Sequence, residues 1–200
     1  QFKTIKKKVP IAVGIKNPHV FYQDIASSAL NNTNWTLENE TDLWGCSTSS
    51  NTAIDASVRK TIYDPSPSGF CLPASGVFSA TTINEYEQNT DRNINGDRFI
   101  TLFANNQGGY FYCKPMKAPG NWDTTGGTLF FPNSLGRNNK NGNIIIGASY
   151  YWTATAGNLN TAPVLSFSKT LVSRPGGKYS RDKRAVFSRA GGFSVRPVRE

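Results

Sequence analysis

Two hundred residues exclude the mini-protein class, because a chain this long buries a real core without metal or disulfide staples. Only 38% of the residues are apolar and 18% charged, and 18 Gly with abundant Asn, Ser and Thr suit turns and caps, which excludes a helix bundle. The formal charge of +9 points to anionic partners or a solvated basic rim, and no apolar run approaches the roughly 18 residues of a membrane-spanning helix.

The chain opens Gln1-Phe2-Lys3 without an initiator Met, and is expected to be a trimmed piece or the end of a longer protein, with any export signal upstream. Lys3, Lys6, Lys7 and Lys8 form a first basic cluster. The apolar run at 9–14 reads as a strand, with Pro10 near its start where a missing donor is tolerated. Asn17-Pro18-His19 reads as a turn entering an aromatic strand through Val20, Phe21 and Tyr22. From 31 to 57 the chain is dense in Asn, Thr, Ser and Asp, and Trp35, Leu43 and Trp44 read as anchors pinning an irregular segment onto the core.

A second short strand is expected at 60–63, stopped by the rigid turn Asp64-Pro65-Ser66-Pro67-Ser68-Gly69. One helical stretch is expected over 74–79, weakened by Gly76 and β-branched Val77. Short apolar or aromatic runs then follow at 99–103, 109–113, 128–131, 144–146, 150–155, 164–167, 184–187 and 193–198. Turn signals such as Asn95-Gly96, Gly126-Gly127, Asn141-Gly142 and Gly176-Gly177 stand between them, so many short strands and few helices are expected. No tandem repeat or composition break marks a second domain, and residues 1–200 read as one domain.

A second basic cluster runs from Lys169 through Arg174, Lys178, Arg181, Lys183 and Arg184 to Arg189, Arg196 and Arg199. No RNP aromatic strand, zinc finger or basic recognition helix accompanies the charge, so nucleic acid is the disfavoured anionic partner. Cys46, Cys71 and Cys113 cannot all pair and none belongs to a CxxC unit, which argues against a thiolate metal site. One bridge with a spare thiol and three reduced thiols both fit the count.

The search for catalysis finds little. His19 is the single histidine and sits in a turn, where a structural imidazole is the plain reading. No GxSxG elbow, HExxH helix, Walker loop or strand-linked GxGxxG is present. Glu38 with Glu40, and Glu85 with Glu87, are acid pairs of the kind that hydrolyse glycosides when about 5 to 10 Å apart, although exposed acids are the default.

Asp91, Asn93, Asn95, Gly96 and Asp97 match the opening D-x-N-x-N-G of a calcium loop, whose alternate oxygens wrap a hard cation. Its twelfth position is Leu102 instead of a bidentate Glu, and Arg98 adds positive charge; the competing reading is a plain Asn-Gly turn. Asn121, Trp122 and Asp123 place an aromatic face between two groups capable of bidentate hydrogen bonds, the equipment of a sugar site, to which Asn105, Asn106 and Tyr110 could add. The competing reading there is a core Trp flanked by turn caps.

The segment Lys60-Thr61-Ile62-Tyr63-Asp64-Pro65-Ser66-Pro67-Ser68-Gly69-Phe70-Cys71-Leu72-Pro73 resembles a TIYDPCPxGWRVP signature. Tyr150-Tyr151-Trp152-Thr153-Ala154-Thr155 is similar to a YWSST block, 162–167 to an A..L.F strand, and Gly192-Phe193-Ser194-Val195-Arg196-Pro197-Val198 to a closing GFSVRPV strand. Upstream, residues 15–22 and Leu43-Trp44-Gly45 resemble IQNPxxFY and LWG pieces.

Together these resemble the FISUMP-type (major paralogous) domain of surface proteins in Gram-negative gut bacteria, similar to modules of fimbrillin-like lipoproteins and pilus-tip proteins. The resemblance implies an α+β, C-type-lectin-like fold in which the terminal strands meet and long loops carry contacts. Relatives often have Cys where Ser66 and Pro197 stand, and the resemblance implies that losing both together goes with dispensing with a bridge between them.

What the resemblance implies is a noncatalytic adhesion module at the cell surface, fimbrial or outer membrane-associated. Its partners would be other pilus subunits, a host glycan or a matrix protein. The competing functions are a structural assembly subunit that exchanges a strand, and an enzyme of the formylglycine-generating fold class. That class uses a late cysteine pair, whereas the last cysteine here is Cys113.

Overall fold

The computed structural model describes residues 3–23, 34–38, 40–50, 56–78, 91–94, 97–104, 107–113, 129–139, 141–146, 148–158, 160–168, 172–173 and 186–200. Among them the chain forms many short strands, one short α-helix and one 3-10 turn, an α+β arrangement of small sheets. Strand β1 (Lys3–Lys6) pairs in parallel with β2 (Val20–Gln23). The lysines hide β1 from a hydropathy reading, since only Ile5 in it is even half-buried.

The expected strand at 9–14 is instead helix α1 (Ile11–Lys16) preceded by one extended residue. Val9 is bonded on both sides, its amide to the Trp35 carbonyl and its carbonyl to the Leu37 amide, in an isolated parallel bridge with Thr36. Pro10, at φ −56° and ψ 146°, then turns the chain into the helix. The Ile11 amide, left over at the helix start, donates to the Glu38 carboxylate at 3.1 and 3.2 Å. The Asn17 side chain closes the other end on the Val13 carbonyl at 2.8 Å. Ile11, Gly14 and Ile15 fall on one helical face; a Cβ on Gly14 would lie 2.7 Å from the Trp35 ring, so the close approach needs glycine.

The expected strand at 60–63 is not one either. Lys60 is drawn aside to donate to the Ser66, Pro67 and Phe70 carbonyls, and 62–63 form a turn. Buried Asp64 organises the proline segment: one carboxylate oxygen accepts the Ser66 amide at 2.8 Å and the other the Leu72 amide at 2.9 Å. Strand β3 (Phe70–Cys71) emerges from that turn, and Ser75–Phe78 forms the 3-10 turn within the expected helical stretch.

Strands β4 (Asp91–Ile94), β5 (Asp97–Ala104), β6 (Gln107–Cys113) and β7 (Leu129–Pro132) make an antiparallel meander. Strands β8 (Gly136–Arg137) and β9 (Ile144–Ile145) form a small hairpin around Asn141-Gly142. The largest sheet is built on β10 (Ala148–Trp152) and β11 (Thr161–Ser168), with β12 (Val172–Ser173) and β13 (Val186–Ser188) on β11 and β14 (Ser194–Val195) parallel to β10. The run expected at 150–155 leaves the ladder after Trp152, because the Ala154 amide turns to the Pro73 carbonyl at 2.8 Å.

The run at 193–198 splits into β14 and β15 (Val198–Arg199), since Pro197 carries no N–H for a ladder. Strand β15 pairs with β3, and β1 with β2. Among the described residues the first and last strands therefore do not pair with each other, whereas the resemblance implies that the terminal strands meet. Each completes a separate two-stranded sheet.

The core holds Cys46, Leu72, Trp152, Ala154, Ala162 and Val164, with Trp44, Tyr150, Phe187 and Phe193 packed against it. Tyr150 and Phe193 stack at 4.6 Å, Phe193 lies 4.7 Å from Trp152, and Trp44 lies 6.0 Å from Trp152. Trp44 thus anchors the irregular segment as the sequence suggested. Gly45 makes that anchor possible: at φ +87° a Cβ would stand 1.6 Å from the Arg59 carbonyl oxygen.

Candidate functional site

The anchoring aromatics leave a cleft between the segments they pin. Its walls come from α1, from β2, from the segment around Trp35 and Trp44, from the Ile62–Pro65 turn, from the residues after Trp152 and from Arg189–Gly191. The enclosed volume is about 450 Å³, within the range of ligand pockets. Tyr22 and Trp35 stack at 6.5 Å on one side, with rings 24° apart, and the Trp44–Trp152 pair stands on another. Tyr63 and Ile62 form the rim, Ile62 being 91% exposed.

Besides its tyrosines and tryptophans, the cleft is lined by four polar residues, Thr41, Asp64, Thr155 and Arg189. Asp64 is held by the two backbone amides and by Lys60 at 3.8 Å. Thr155 accepts the Ser75 amide through its hydroxyl at 3.0 Å. Burial pulls the Arg189 guanidinium below its ordinary proton affinity, and the Glu40 carboxylate works against that shift. The arrangement can hold an apolar body, and it brings no nucleophile and base together among the described residues.

Of the sequence-predicted residues, Asp91, Asn93, Asp97 and Tyr110 are described, and they lie on the meander strands. Asp91 and Asn93 lie on β4 and Asp97 on β5, and the register sets Asn93 opposite Arg98 and Ile94 opposite Asp97. The backbone therefore follows the Asn-Gly hairpin reading, with Asn95 outside the described residues. Among the described residues no group of three or more His, Cys, Asp or Glu side chains could hold a metal. Tyr110 lies on β6 opposite Thr101 and Phe131. Asn105, Asn106, Asn121, Trp122 and Asp123 lie outside the described residues, as do Glu85 and Glu87.

His19 is exposed in its turn, its carbonyl accepting the Lys3 amide at 3.1 Å. Glu38, one of the acid pair with Glu40, is engaged as the α1 cap. The Thr36 hydroxyl donates to its carboxylate, and this bond above all, with the Ile11 amide, holds that carboxyl below its usual range. Cys46 and Cys71 are free, buried thiols. Burial and the Asp64 and Glu200 charges push the Cys71 thiol up against the opposing pull of Lys60, which leaves it unreactive.

Sequence reasoning missed the cleft. Trp35 and Trp44 were legible as anchors, and Arg189 only as one member of a basic cluster; no local signal says that they converge. No family model, no curated protein and no solved structure matches the chain. Among the described residues no helix is long and apolar enough to cross a membrane.

Proposed function

We propose that this chain is a noncatalytic binding module of the cell surface, a FISUMP-type domain on a C-type-lectin-like framework, exported and displayed on a fimbria or the outer membrane. The aromatic cleft carries the reading: a concave, mostly apolar site fixed by packed rings, with no catalytic constellation among the described residues facing it. The residues of the family resemblance support it in a second way, since they build scaffold. The proline signature forms the Asp64-centred turn, the YYW block forms β10, and the closing block forms β14 and β15.

On this reading the partner is another surface subunit, a host glycan or a matrix protein, the glycan falling to Asn105, Asn106, Tyr110, Asn121, Trp122 and Asp123. A glycan array and a host-matrix pull-down test it, and blanks in both at high protein concentration refute adhesion. Exposed Ile144 and Ile146, at 56% and 71%, favour a second reading as an assembly subunit whose β9 edge accepts a strand. Stable heteromers with partner pilins in size-exclusion chromatography would identify that role.

A further inference from the structure

A second cleft shares no residue with the aromatic one. The proline turn and β3 supply Pro67 and Phe70, the 3-10 turn supplies Val77 and Phe78, β7 supplies Phe131, and the closing segment supplies Arg196, Pro197 and Val198. It encloses about 360 Å³, at the small end of ligand pockets. Phe78 and Phe131 are buried, whereas Phe70 and Val77 stand 42% and 53% exposed at its mouth.

Pro197 explains why a cation sits in these walls. It carries no N–H for a ladder, so the chain leaves β14 after Val195 and pairs again only at Val198, and Arg196 falls in the gap. The Arg196 guanidinium carbon lies over the Phe131 ring, 5.4 Å from its centre. A ring contact satisfies no N–H donor, and among the described residues no carboxylate or other acceptor meets this side chain. Every other residue lining the cleft is apolar.

The local charges leave Arg196 over even when every acid keeps its charge. Asp64 and Glu200 are the acids felt at Cys71, next to Phe70. Lys60 stands 3.8 Å from Asp64 and Arg199 adjoins Glu200 in the chain, so those charges balance. An uncharged guest would strip water from the guanidinium without replacing its hydrogen bonds, and a polyol or dianion would bring polar groups against phenyl walls. A single carboxylate on an aromatic body meets both demands: its two oxygens match the guanidinium fork and its ring matches the phenylalanines.

We propose that this cleft binds a small aromatic monocarboxylate, with its ring lodged among Phe70, Phe78 and Phe131 and its carboxylate paired with the Arg196 guanidinium. The site lies outside the adhesion reading and does not depend on it.

The test is isothermal titration of the full chain with phenylpropionate, beside phenylpropanol, which lacks the charge, and acetate, which lacks the ring. Phenylpropionate should bind about tenfold or more tightly than either, the ratio expected of one charge-assisted pair. Arg196→Gln gives up only a ring contact within the protein, and should weaken phenylpropionate about tenfold while its near-UV dichroism matches the parent. Val77 is exposed enough to substitute without disturbing the core: Val77→Glu should weaken binding, whereas Val77→Lys stays within about threefold. No saturable heat with phenylpropionate, equal affinity for phenylpropanol or acetate, unaltered binding in Arg196→Gln, or equal affinity in the two Val77 variants overturns the proposal.

Discussion

Replacing Asp64 with Ala removes the single side chain that ties together the Pro65–Ser68 turn, Lys60 and the entry to the core. Its carboxylate is fully buried and accepts the Ser66 and Leu72 amides at 2.8 and 2.9 Å, and Leu72 itself is 0% exposed. Each charge-assisted bond contributes about 1.5–3 kcal/mol, and both amides would be left without their acceptor, so the loss is roughly 3–6 kcal/mol. Lys60, 3.8 Å away and a quarter exposed, adds at most about 1 kcal/mol.

For a chain of 200 residues, a change of that size lowers Tm by roughly 6–24 °C at about 2–4 °C per kcal/mol. Asp64→Asn keeps one acceptor and turns a donor toward the other amide, so its loss should be smaller than that of Ala. Circular dichroism melts of the two variants beside the parent protein make the comparison. An Ala variant melting within about 2 °C of the parent would refute the claim that this carboxylate organises the turn.

Gly45→Ala forces a Cβ onto the Arg59 carbonyl at a positive φ, and should give insoluble or partly unfolded protein, scored by soluble yield and near-UV dichroism. Glu38, whose folded carboxyl is held low by Thr36, stabilises the α1 entry above the ordinary carboxylate range and loses that contribution as pH falls through the depressed folded value. In Glu38→Gln, acid unfolding curves should therefore lose part of their pH dependence, and identical curves would count against the cap. Cys46 and Cys71 should resist a thiol reagent in native protein and react once it is unfolded in urea, as mass spectrometry of alkylated peptides would read out. Isothermal titration with calcium separates the two readings of the segment holding Asp91 and Asp97: no heat above background is expected of a plain Asn-Gly hairpin, and saturable heat would support the calcium loop.

Features governed by neighbouring residues were legible in the chain. Pro65, Pro67 and Gly69 announce a turn because their backbone preferences are local, and Asn95-Gly96 announces a hairpin for the same reason. The strands at β5, β6, β7 and β11 follow from short apolar runs bounded by turn residues, so a small-sheet, helix-poor architecture was readable before any coordinates. Trp35 and Trp44 stood out as anchors, since large rings in a polar segment have to be buried somewhere.

Other features belong to distant contacts. The run at 9–14 is apolar and β-branched enough for a strand, yet its amide at Ile11 finds an acceptor in Glu38 and its Gly14 face finds the Trp35 ring, and those contacts make it a helix. The Lys60 ammonium reaches three carbonyls across the turn. The cleft is the extreme case: Tyr22, Trp35, Trp44, Trp152 and Arg189 come from separate parts of the chain and meet through packing alone. Local propensity determined where this protein turns and where it extends; which faces come together was decided by burial and hydrogen bonding between residues far apart, a cooperative choice that no short window of sequence contains.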